Sequence, residues 1–88
     1  IYIFSLSHMI GIIKKLVAEK GFGFIAPENG GDDLFFHCTK VEGGGQVFNS
    51  WADIDPATNK PAKEGATVEY TAVQGKKGLE AHEVKLAA

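Results

Sequence analysis

Cysteine is almost missing from this chain: Cys38 stands alone among 88 residues, so no internal disulfide can form. That fits a reducing compartment, and the cytoplasm is the expected location. A basic excess is missing as well. Nine Lys and Arg face eleven Asp and Glu, a formal charge of −2, which argues against a binder that holds phosphates by charge alone. It leaves room for one whose lysines are gathered locally. No apolar run approaches the roughly 20 residues of a membrane span. The three histidines, His8, His37 and His82, are scattered and with one cysteine give no zinc spacing, and no Walker-type Gly-Lys-Ser/Thr sequence occurs. Cys38 follows His37 directly, but adjacent strand residues point to opposite faces, so this pair is not expected to act as nucleophile and base. No metal, no cofactor and no enzymatic activity are expected.

What is present is a small apolar core and many turns. A hydrophobic content of 44% in 88 residues suffices for one domain and not for two lobes around a cleft. Eleven glycines and few helix-favouring runs point to short strands. Strands are predicted over Ile10–Val17, Lys20–Ala26, Asp33–Thr39, Thr67–Val73 and Leu79–Leu86. Asn29-Gly30-Gly31 supplies the positive backbone angles of a tight turn between the second and third, and Gln74–Gly78 turns the fourth into the fifth. The expected class is all-β: a five-stranded antiparallel barrel without a helix, with a long loop between strands 3 and 4 from about Lys40 to Gly65.

The aromatic residues are arranged by parity. In Lys20-Gly-Phe-Gly-Phe-Ile25, Phe22 and Phe24 share one face, and in Asp33-Leu-Phe-Phe-His37, Phe35 and His37 share one. Ile25, Leu34 and Phe36 on the opposite parity fill the core. The competing reading makes Phe22, Phe24 and Phe35 core residues, since phenylalanine is more often buried than not. Both faces of the third strand carry large groups, however, and a small barrel holds only one of them inside. The outer row is then a stacking platform for bases.

These two segments, in this order and with a Gly-rich turn between them, make residues 9–88 similar to a cold-shock domain. Lys20-Gly-Phe-Gly-Phe-Ile25 resembles the first ribonucleoprotein motif of that family, and Leu34-Phe-Phe-His37 its second. The resemblance implies the OB-fold, and binding of single-stranded RNA or DNA with low sequence selectivity. It implies a role as an RNA chaperone or a regulator of transcription or translation. Phe22, Phe24, Phe35 and His37 match positions that stack on bases, and Lys14 and Lys20 match basic positions near the backbone path.

The first strand departs from the family pattern Lys-Trp-Phe-Asn with Lys14-Lys15-Leu16-Val17. Lys15 replaces a stacking tryptophan and supplies a phosphate contact instead; Leu16 replaces a phenylalanine, and Cys38 stands where another aromatic is common. The long loop exceeds the family's by roughly ten residues, beyond ordinary loop lengths. Its Phe48 corresponds to the family's loop phenylalanine, and Trp51 is placed to replace the missing indole; alternatively, both rings fold back to cover the barrel end. The expected site is therefore Lys14, Lys15, Lys20, Phe22, Phe24, Phe35, His37, Phe48 and Trp51, with binding weaker or differently selective than in typical members. A protein-interaction module on the same barrel is the alternative, suggested by the acidic balance.

Two other patterns are set aside. Gly21 to Ala26 fits G-x-G-x-x-A, but Pro27 and the following turn forbid the helix that a dinucleotide site requires. Asp53, Asp55, Asn59 and Glu64 have partial calcium-loop spacing, with Ala57 and Thr58 where a ligand and a glycine belong. Residues 1–8 are expected to be a cloning remnant or non-native extension, since Ser7-His8-Met9 resembles a linker scar before a start at Met9. The alternative is a real extension that adds a strand or joins two molecules; a monomer is expected, with a dimer by strand exchange as the alternative.

Overall fold

Alternation along β1 (Met9–Val17) turns Gly11 and Ile13 inward and Ile10 and Ile12 outward. The computed structural model describes residues 9–76 and 78–87, and the expected extension at residues 1–8 lies outside them. β1 pairs antiparallel with β2 (Phe22–Pro27), with Ile13 opposite Ile25 and Lys15 opposite Phe24. Two steps on β1 therefore match one on β2, and Lys14 is the extra residue of a β-bulge. The bulge resets the alternation so that Leu16 points inward. Ala18–Lys20 form a single 3-10 turn between the two strands.

β3 (Leu34–His37) pairs with β2, and a second 3-10 turn, Cys38–Lys40, ends it. Cys38 thus leaves the extended conformation, and its Sγ lies 3.8 Å from His37 Nδ1. The expectation that these two side chains diverge is corrected by that turn.

The long connection is ordered. Gly45–Ala52 form helix α1, whose Phe48, Trp51 and Ala52 recur at the i, i+3, i+4 spacing of one buried face. A two-residue ladder, β4 (Ile54–Asp55) with β5 (Lys60–Pro61), follows. Backbone bonds pin its far side to α1 and to the barrel: Lys63 N–H donates to Trp51 O at 3.1 Å and Gly65 N–H to Ile13 O at 2.7 Å. The absence of a helix was expected, and α1 corrects it: a buried apolar face outweighs the poor helix propensity of the adjoining glycines.

β6 (Thr67–Gln74) and β7 (Leu79–Leu86) complete the barrel, whose order is β1-β2-β3-β7-β6. Every pair is antiparallel except β3 with β7, which meet parallel with Phe35 opposite Glu80. An odd number of strands closed into a ring cannot alternate direction at every join, so the expected five-stranded antiparallel barrel closes with this one parallel join. β7 carries its own bulge, where Glu83 adopts φ 53° and its Oε1 accepts from Thr71 Oγ1 at 3.3 Å. Ile13, Ile25, Phe36, Phe48, Val68, Ala81 and Val84 are at most 1% exposed and form the centre of the core. Among the described residues, no helix is long and apolar enough to cross a membrane.

Candidate nucleic-acid interface

The register places the aromatic residues on a grid. Residues directly opposite on paired strands share a face, so one row reads Lys15, Phe24, Phe35, Glu80, and the next reads Val17, Phe22, His37. Leu34 and Phe36 are buried while Phe22, Phe24 and Phe35 are half-buried and His37 is exposed, the division that parity predicts. The three phenylalanine rings pack on each other. Their centroids are 5.4 Å apart for Phe22 and Phe35, 5.7 Å for Phe22 and Phe24, and 6.0 Å for Phe24 and Phe35. Tilted and edge-on contacts of this kind fix the rings while leaving each with area open to a flat partner.

His37 is held by its own turn. Its Nδ1 accepts from Thr39 N–H at 3.3 Å and lies 2.9 Å from Thr39 Oγ1. In the neutral ring that arrangement puts the proton on Nε2, a donor on the exposed side. The imidazole can therefore stack and bond in the same pose.

The lysines divide. Lys15, opposite Phe24, is on the platform, and Lys20 is exposed in the turn that leads into β2. Lys14, pushed out by the bulge, reaches the β2–β3 turn, with Nζ 3.5 Å from Asp33 Oδ2. Both groups of that pair are well exposed, so it contributes little to stability. It does compensate the charge that Lys14 would offer a phosphate.

Phe48 and Trp51 are not on this surface. They are 0% and 4% exposed, and the Phe48 ring sits 6.2 Å from that of Phe36, inside the barrel. The expectation that they stack on bases is corrected: their place on one face of α1 makes them the plug of a barrel end. Leu16, counted as lost stacking area, is also core at 6% exposure. The sequence did not reveal Val17, Glu80 and Leu79, which border the platform or its edge. Val17 follows from the bulge, which the adjacent outward pair Lys14-Lys15 signals. Glu80 depends on a parallel pairing that local pattern does not announce.

The comparisons agree with this architecture. The family of the 'Cold-shock' DNA-binding domain matches residues 9–87. The chain is similar to cold shock protein CapA of Pseudomonas fragi, 42% identical over 71 residues that cover 81% of this chain and 91% of that protein. It is similar to temperature acclimation protein A of the same organism, 43% identical over 70 residues, 80% and 95% of the two chains. Cold shock-like protein CspG of Shewanella violacea is 39% identical over 74 residues, 84% and 87% of the two. Among solved structures, drosophila Unr CSD456 superimposes with a TM-score of 0.60 at 26% identity. That match covers 97% of this chain, which spans only 30% of the other.

Proposed function

This chain belongs to the cold-shock domain family, and from that premise we propose how it works: it binds single-stranded RNA or DNA across Phe22, Phe24, Phe35 and His37, with Lys15 and Lys20 toward the phosphates. Single-stranded nucleic-acid binding of the RNA-chaperone type is the family's function. The observation that carries the residue assignment is the outward aromatic grid, half-buried and braced ring against ring. Every base has a π-face, so such a surface takes a strand with little regard to sequence, at about 1 to 3 kcal/mol per stacked base.

Binding of this kind needs no chemical step. A ligand that fits the open strand and not the duplex shifts a hairpin toward the open form in proportion to its concentration over Kd. One barrel carries the whole grid, so a single chain is the binding unit. Transcripts or displaced DNA strands in the cytoplasm are the natural partners under this reading.

The test is Phe35→Ala, read by anisotropy of labelled oligothymidine and of an unpaired RNA. Trp51 fluorescence would report the core instead, because that indole is buried. Phe35 is half-buried on the outer face, so the fold should survive and affinity should fall by about 5- to 150-fold. Unchanged affinity in a folded variant removes Phe35 from the site, and an unfolded variant makes it core.

A further inference from the structure

Among the described residues, α1 plugs one end of the barrel. At the other, the β2–β3 turn and the β6–β7 hairpin frame a groove of about 1230 Å³. Phe24 and Phe35 line it and so belong to both the platform and the groove, with Met9, Ala72 and Leu79 adding further apolar wall. Leu79 is 55% exposed at the edge of the groove.

Tyr70 also lines this groove, and it is 2% exposed. Its ring runs from β6 toward β1 and β2, so that a Cβ on Gly11 would stand 3.1 Å from Tyr70 Cε1 and 2.5 Å from Ile25 Cγ2. Its hydroxyl is buried with no hydrogen-bond partner among the described residues. A polar group left in that condition is unfavourable, and native proteins rarely keep one without a use. Burial pushes the phenol pKa above its ordinary value, so the hydroxyl keeps its proton and can donate.

Resting on the nucleic-acid reading above, we propose that this mouth is a base subsite: one nucleobase of the bound strand leaves the stacked row beyond Phe24 and Phe35, enters the groove, and hydrogen-bonds through its polar edge to the Tyr70 hydroxyl. An apolar inner wall of Met9, Phe24, Phe35 and Ala72 with the unpartnered Tyr70 hydroxyl behind it, and polar side chains at the rim, suits a base, flat with a polar edge. Asp32, Asp33 and Glu80 line the groove against a single lysine there, Lys76, and even with Asp33 met by Lys14 the balance is acidic, so the base enters and the backbone stays outside. Met9 is opposite Tyr70 in the β1–β6 ladder and lines the same groove, and its unbranched side chain can swing aside.

The experiment titrates labelled oligothymidine, and a series of the same strand with one abasic site walked along it, against wild type, Tyr70→Phe, Ala72→Leu and Phe35→Ala. Wild type should lose affinity markedly when the abasic site occupies one position. Tyr70→Phe should bind the intact strand about three- to tenfold more weakly, the worth of a single hydrogen bond, and should no longer distinguish that position. Ala72→Leu, which fills the groove, should show the same loss. Tyr70→Phe should unfold at or above the wild-type temperature, because the orphan hydroxyl is gone. Wild-type affinity of Tyr70→Phe for every strand overturns the subsite and leaves the hydroxyl a buried, unpaired group with no part in binding. If Phe35→Ala still weakens all strands in that case, the platform stands without the subsite; if it too has no effect, the platform reading falls.

Discussion

Gly23 is the residue on which platform and core meet. It separates Phe22 from Phe24 on the outer face, and on the inner face a Cβ would stand 2.7 Å from Lys15 O and 2.8 Å from Phe36 Cζ. Neither neighbour yields easily, since one is the β1 backbone and the other a ring at 0% exposure. Gly23→Ala should therefore destabilise by about 1 to 3 kcal/mol, the usual scale of overpacking, although glycine to alanine stabilises where space and backbone permit. Urea unfolding measures it, and a variant as stable as wild type would mean that β1 and β2 separate at no cost. Parity made the platform legible: with a period of two, Phe22, Phe24, Phe35 and His37 can share only one face once Ile25, Leu34 and Phe36 take the other. Lys14 and Leu16 were less legible, because a bulge adds a residue and shifts every later side chain of β1.

At the scale of elements, α1 converts an overlong loop into part of the core. Its eight residues are too few to hold a helix by propensity, and Gly43, Gly44 and Gly45 stand at its start. Tertiary contact supplies what propensity does not: Phe48 packs on Phe36 and Trp51 is 4% exposed. The glycine run and two prolines masked this segment in the sequence, while the spacing Phe48, Trp51, Ala52 carried the signal in only one turn of chain. Trp51→Ala should destabilise by about 3 to 5 kcal/mol, the range for deleting a buried large aromatic. Because the platform is on another surface, the fraction that remains folded should bind oligothymidine with wild-type affinity. Calorimetric unfolding and anisotropy together decide the matter, and a selective loss of affinity with stability retained would return Trp51 to the binding site.

For the whole molecule, charge and topology set the terms of binding. Closure of an odd-stranded barrel brings β7 beside β3 in parallel, and this places Glu80 next to Phe35. An acidic group thus borders the aromatic grid of a chain whose formal charge is already −2. Of the lysines near the grid, Lys14 has its charge met by Asp33 at 3.5 Å, so the proposed site offers phosphates two lysines, Lys15 and Lys20. For single strands, log K falls with log salt at a slope of about −0.7 per phosphate neutralised, so two contacts predict a slope near about −1.4. Stacking depends far less on salt, so a threefold rise in salt should lower K only about fivefold and most of the binding free energy should survive. Anisotropy titrations of oligothymidine across a salt series give the slope directly. A slope steeper than about −3 would require more than four phosphate contacts, would make charge the main source of affinity, and would contradict a platform held by its aromatic rows.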